Sequence, residues 1–376
     1  LQIRQIFWDH SFQMQAEHPL AGVGPGQWRI HFPKYGLEGM NPSVAEGVTS
    51  EVRPHNDFIW VLSELGYVGL ALFLVFFITV VVHAVRAYRK DSAELGHATW
   101  VAILILVSVY ALFEFPLERA AFWAPFMVMV GLRSRGGVSV PKGVYLGLAV
   151  VSVGLLGRIA WQAIQADRAN QIVLEQNSRK DARGIVQSAT DAVSSWNELD
   201  RFSNPLIYFA GMGSLFGEAQ AMGPNPTFTS TNFKQAEAYF NEALALHPYH
   251  VVTLYQKANM HRYRRELAQA QSTYEQLLAI SPRHPGGQMH YATTLNATGQ
   301  YEAAARVLIA AFLTPEYYNN PDYQRAVIEA LRGMPATTKH QGLQRFIAVR
   351  NQANDPALFE AFQAFKQQRW QQEQAG

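Results

Sequence analysis

An arginine, an imidazole and an amide stand together just ahead of a long apolar run, as Arg53-Pro54-His55-Asn56-Asp57, with Glu64 and Gly66 inside the run that follows. Imidazole titrates near neutrality and can take a proton from a hydroxyl. Guanidinium offers bidentate donors to a diphosphate, and Arg4 is a second such group in the same stretch. Asn56 or Asp57 can N-cap a helix that begins here. That helix N-terminus would present N–H groups and a partial positive charge, a place where phosphate is favoured. Glu64 lies about two turns further on, where an ionisable group is costly and faces protein or water. Together these types suggest proton abstraction beside an anion site. Each also has a plainer reading: His55 as a structural neighbour of a cap, Arg4 and Arg53 as lipid-headgroup contacts, Glu64 as a buried hydrogen-bonding group. Residue types alone leave both open.

Other chemistry is thinly represented. His10, His18 and His31 share the first 57 residues with His55 but show no metal-ligand spacing, and there is no HExxH, so no metal or other cofactor is expected. Cysteine is absent, which excludes disulfide scaffolds and thiolate sites and suits an oxidising compartment. The string Gly22-Val23-Gly24-Pro25-Gly26 could suggest a phosphate cradle, but Pro25 removes a donor, and a tight turn near the membrane is expected instead. A net charge of +2 gives no basic field for nucleic acid.

The elements that must position these residues are membrane helices. Charged residues make up 16% of the 376-residue chain, against roughly 25% in soluble domains, and the deficit falls in residues 58–166. Four spans are expected: residues 65–85, 98–113, 120–132 (with Pro116 and Leu117 extending it) and 143–157 continuing to 166. Arg86, Arg89 and Lys90 follow the first span, and Arg133, Arg135 and Lys142 follow the third, which places those loops in the cytoplasm. Residues 1–57 and the tail from 167 then share the outer side. The chain begins at Leu1 and reads as the C-terminal piece of a longer protein.

The tail repeats with a period of 34. Ala236, Ala270 and Ala304 keep it, as do Phe240, Tyr274 and Leu308, and Phe233, Leu267 and Tyr301; Pro248 and Pro282 follow, with Pro315 one residue early. Small residues let two helices approach, the larger apolar residue fills the gap, and proline stops the helix. Gly299 is expected at a turn between helices. These marks resemble the tetratricopeptide repeat, which implies a helical solenoid over residues 233–320; such repeats mostly bind peptides or protein partners, and the plainer reading is an array that only spaces or stabilises the membrane part. Residues 167–232 are expected as helical linker and imperfect first repeat helix (204–222, then a loop at 223–232), and residues 321–376 as capping helices. The fold class is therefore all-α: an outer loop, polytopic transmembrane helices, then a soluble helical array.

Arg4-x-x-x-Trp8, His18-Pro19-Leu20-Ala21-Gly22-Val23-Gly24-Pro25-Gly26 and His55-Asn56 with Glu64-x-Gly66 resemble the O-antigen ligase/polymerase superfamily of polytopic glycosyltransferases. The string Phe113-Glu114-Phe115-Pro116-Leu117-Glu118-Arg119 is similar to a segment after the catalytic loop of members with a repeat tail. The resemblance covers residues 1–135. It implies transfer of a glycan from undecaprenyl diphosphate to a hydroxyl of lipid A–core or another acceptor, at the periplasmic face of the bacterial inner membrane. His55 would be the general base, with Arg4, Arg53 and Asn56 at the substrate and the three glycines and Glu64 in support; no metal or cofactor is implied. Members usually have about a dozen spans, so this chain alone is expected to be inactive. Gln27-Trp28 stands where members often have Asn and an aromatic. Ligase, polymerase and protein-glycosylating forms share these motifs. A membrane-anchored repeat scaffold for envelope polysaccharide assembly is the alternative from another class.

Overall fold

The computed structural model describes residues 2–51, 53–114, 116, 119–133, 141–193, 198–200, 203–221 and 231–311. Among them every regular element is a helix, beside one isolated bridge between Leu199 and Pro205. The chain divides into two units, Leu1–Tyr35 with Ser50–Gln165, and Gly36–Thr49 with Ala166–Gly376.

The first unit opens with α1 (Gln2–Glu17) and α2 (Trp28–His31), which runs into a 3-10 turn, Phe32–Tyr35. A one-turn helix, α3 (Pro42–Ala45), belongs to the second unit. Then come α4 (Asp57–Lys90), α5 (Leu95–Phe113) and α6 (Ala120–Arg133). Among the described residues, α4 and α5 are long and apolar enough to cross a membrane. At 1.5 Å per residue the 19 residues of α5 reach about 28 Å, close to the bilayer core of about 30 Å. Leu72, Val75, Ile105 and Leu106 point outward, more than half exposed, as lipid-facing side chains would. Ala84, Trp100, Leu104, Val107 and Phe126 form the buried seam among α4, α5 and α6. The 14 residues of α6 span only about 21 Å and carry Pro125 inside. Pro116 lies outside α6, so the expected extension through it is not made; Leu117 lies outside the described residues.

The next helix, α7 (Lys142–Arg179), joins the apolar stretch 143–166 to the expected linker without a break, so no separate helix begins at 167. It ends at Lys180, whose φ is +54°, and Asp181 caps α8 (Ala182–Ala192) by accepting from Gly184 N at 3.1 Å.

The second unit continues with α9 (Leu206–Ala221), within the expected 204–222, and α10 (Thr231–Leu246); most of the loop expected between them lies outside the described residues. Helices α11 (Val251–Tyr263), α12 (Leu267–Ile280), α13 (Pro285–Ala297) and α14 (Tyr301–Ala311) follow. Two sets of the 34-residue marks fall on α10, α12 and α14 and face inward: Ala236, Ala270 and Ala304, and Phe240, Tyr274 and Leu308, are all at 0% exposure. Phe240 packs on Gly211 of α9, where a Cβ would lie 2.5 Å from its ring. Gly299, at φ +77°, makes the turn from α13 to α14. Pro315 and the capping helices expected over 321–376 lie outside the described residues.

Candidate functional site

The apolar helix α4 is broken near its start. Gly66 has φ +63° and ψ −165°, which strands the Ser63 and Glu64 carbonyls and the N–H groups of Tyr67 and Val68. Unpaired backbone groups in an apolar setting each cost about 1–3 kcal/mol. The glycine-rich loop supplies all four partners: Val23 N donates to Ser63 O (3.0 Å), Gly24 N to Glu64 O (2.9 Å), Tyr67 N to Pro19 O (2.8 Å) and Val68 N to Leu20 O (3.2 Å). This fit leaves no room for side chains. A Cβ on Gly22 (φ +68°) would lie 2.3 Å from the Glu64 carbonyl carbon, and one on Gly66 would lie 2.4 Å from that of Leu20. The Glu64 carboxylate, 7% exposed, accepts from Gly26 N (2.8 Å) and Trp28 N (3.0 Å). The two motifs are thus one lock, with the carboxylate as its bolt. The tight turn expected at Gly22–Gly26 is present, with φ of +108° at Gly24 and +74° at Gly26.

The lock positions an aromatic stack. Trp28, fully buried, stacks on Phe32 (4.6 Å between centroids) and donates its indole N–H to Ser11 Oγ at 2.8 Å. Phe7 packs edge-on against both, and its ring stacks on His55 at 6.0 Å and 13°. Pro54 O accepts from Trp8 Nε1 at 2.9 Å. These contacts hold His55 at φ +53°, a left-handed conformation uncommon for a residue with a Cβ.

Asn56, rather than Asp57, is the cap of α4: its Oδ1 accepts from Ile59 N at 3.0 Å. Its Nδ2 donates to Leu112 O at 2.9 Å, satisfying a carbonyl in the last turn of α5. Arg4 serves the same helix end. Nη1 donates to Phe113 O (2.8 Å), and Nη2 donates to and ion-pairs with Glu114 Oε1 (3.2 Å). A cation suits a helix C-terminus. The second Glu114 oxygen lies 3.6 Å from His55 Nδ1, with both side chains 31% exposed. Burial, and then the charges of Arg29 and Arg119, hold the Arg53 guanidinium below its ordinary pKa; Asp57 opposes this. Burial raises the Glu51 carboxyl, which the charge of His55 pulls back down.

Arg4, Arg53, His55 and Asn56 therefore gather where α4 begins and α5 ends, while Glu64 and the glycines stand behind them in the lock. Sequence reasoning missed Glu114, Arg119 and Arg29 as members of this cluster. Glu114 and Arg119 lay inside a string noted only for its similarity to a segment after the catalytic loop. Nothing marked Arg29. The arrangement can hold an imidazole with one nitrogen toward a carboxylate that also pairs with Arg4, while the charges of Arg29 and Arg119 act on Arg53 two residues before it.

Residues 1–74 match a protein-family model described as O-antigen ligase. That stretch holds the whole lock and His55 but stops short of Glu114 and Arg119. No curated protein and no solved structure matches the chain. The match supports glycan transfer in O-antigen biosynthesis in general, and a membrane setting.

Proposed function

We propose, proceeding from the O-antigen ligase match at residues 1–74, that this cluster transfers a glycan from undecaprenyl diphosphate to a hydroxyl of lipid A–core, without metal. The observation that carries the reading is His55 held between Phe7 and the Glu114 carboxylate, with Arg29 and Arg119 each in electrostatic reach of Arg53. With the Nδ1 proton turned toward Glu114, Nε2 is the basic nitrogen. It takes the acceptor hydroxyl proton as the oxygen bonds to the anomeric carbon. The bond from that carbon to the diphosphate oxygen breaks, and the lipid diphosphate leaves with the electron pair. Guanidinium groups stabilise the charge that develops there: Arg53 and Arg119 directly, Arg4 from the Glu114 side. Asn56 fixes the two helix ends. Polymerase and protein-glycosylating reactions would use the same residues on a different acceptor.

Four crossings, with the Arg86, Arg89 and Lys90 end of the α4–α5 hairpin inward, would put residues 1–57 and the tail in the periplasm. The tail would be a tetratricopeptide-type array. His55→Ala in the full-length protein should lower transfer by about 10²–10⁴-fold with insertion unchanged; undiminished transfer removes His55 from the reaction. Glu114→Gln should lower kcat more than KM and alter the pH profile, as a positioning residue would. Glu51→Cys should react with an impermeant maleimide from outside the cell; labelling only after lysis would refute the orientation.

A further inference from the structure

The second unit holds a segment that comes from far away in its own sequence. Gly36–Thr49 packs on the array as a strap, against the start of α11 and the turn from α12 to α13. The last carbonyl of α12, Ile280 O, has no partner within its helix and takes the Leu37 N–H at 2.7 Å. The next residue, Ser281, is fully buried, and its hydroxyl donates to Ala45 O at 2.7 Å across 236 residues of sequence. Leu37, Val44 and Ala45 are buried at 4%, 4% and 5% exposure. At Gly47 (φ +72°) the strap runs so close to α11 that a Cβ would lie 2.7 Å from Val252 Cγ2. Acidic side chains face the rim: Glu38 lies 3.5 Å from Arg283, and the charge of Glu46 acts on Tyr255.

The strap is built to dock. Asn41 accepts from Val44 N at 3.0 Å and Pro42 stands at the first helical position, so α3 is set before it is buried. A preformed turn loses less entropy on binding. Its apolar face is short, Leu37 N and Ala45 O find partners on the array, and the strap's other backbone bonds close within the strap.

We infer that the end of the array formed by α11, α12 and α13 is the docking site of the chain's own strap. Here the array works in cis, holding the stretch between α2 and α4, and this face is not open to a separate protein. In sequence the strap runs on toward Glu51, Arg53 and His55.

Because the chain lacks cysteine, engineered thiols report without background. In the full chain, Ala45→Cys with Ser281→Cys should be joined by oxidation or by a short bismaleimide in most molecules, and mass-mapped peptides should show the bond. Neither single variant should give it. No crosslink in a double variant with unchanged helical circular dichroism would overturn the inference. A second measurement does not depend on thiol geometry. A synthetic peptide with the sequence of residues 36–49 should bind the full-length Leu37→Asp/Val44→Asp variant, whose strap is released, at least tenfold more tightly than the unaltered chain. Equal binding to both would mean that the face is open, and no binding to the variant would mean that it is not a receptor; either result refutes the proposal.

Discussion

Around Glu64 one carboxylate and a few backbone hydrogen bonds hold the chain in place, whereas beyond residue 231 apolar positions repeated every 34 residues do so. The lock has no redundancy: one carboxylate accepts two backbone N–H groups, and four loop groups answer four stranded ones. The array spreads its packing over three equivalent sets, with Ala236, Ala270 and Ala304 and then Phe240, Tyr274 and Leu308 each fully buried. Apolar contacts are non-directional and tolerate adjustment. Buried polar networks do not, because a half-satisfied network costs more than none. The comparison teaches that damage to the first region should be abrupt and catalytic, and damage to the second graded and thermodynamic.

The largest expected effects fall on the lock. Gly22→Ala and Gly66→Ala each place a methyl within 2.4 Å of backbone, which a rotamer change cannot relieve. Glu64→Ala orphans Gly26 N and Trp28 N, at about 1–3 kcal/mol each. All three should lower glycan transfer in the full-length protein by at least about 100-fold, the equivalent of roughly 2.7 kcal/mol in the transition state. A transfer assay on membranes with matched protein levels checks this. Near-normal transfer by Glu64→Ala would show that the lock does not set the His55 geometry.

How much of this the sequence revealed follows from the same contrast. The array was legible because its period is written three times over, and Gly299 marked a turn that the structure contains. Asn56 was legible as a candidate cap ahead of the apolar run, and Glu64 as an ionisable residue out of place inside it. What Glu64 holds was not legible, because the helix break at Gly66 is a backbone event and the partners lie in a distant loop. Glu114 was hidden for a related reason. Its role depends on α5 returning to the level of His55, and sequence spacing does not carry that. The strap was invisible too: nothing local in residues 36–49 points to Ile280 or Ser281.

In the array, Phe240→Ala should remove about 3–5 kcal/mol from the melting transition of the helix pairs, since the ring is fully buried against Gly211. Thermal melts of the full chain followed at helical wavelengths would show it. Transfer at low temperature should change far less than in the lock variants. A loss of transfer as deep as theirs would erase the distinction between the regions.

The next effect is set by pH. His284, at 4% exposure, accepts from Gly287 N through Nδ1 at 2.9 Å, and burial pushes its pKa down to about 4. His250 is pushed to about 3 by burial and the nearby His247. An unfolded histidine binds its proton below about pH 6.5, while these two stay neutral in the fold. The stability they contribute is therefore full above pH 6.5 and is lost as pH falls toward 4, by roughly 2–3 kcal/mol for His284. His284→Asn keeps a capping acceptor and removes the titration. Denaturant melts at pH 7 and pH 5 should differ less in this variant than in the unaltered chain, and an unchanged difference would refute the assignment.

Gly26→Ala separates backbone strain from close packing and should give the smallest change. Gly26 has φ +74°, much as Gly22 has +68°, so alanine at either position meets the same left-handed penalty of about 1–2 kcal/mol. The surroundings differ. An added Cβ at Gly26 meets nothing within 4 Å, whereas at Gly22 it meets the Glu64 backbone. The Gly26 N–H can also keep its bond to the Glu64 carboxylate, because the substitution leaves the donor intact. Transfer by Gly26→Ala should therefore stay within about 30-fold of normal, since at most the strain reaches the transition state. If it instead falls as far as in Gly22→Ala, conformational strain alone accounts for both. The close fit of loop to broken helix would then lose its claim to explain why the first region is intolerant.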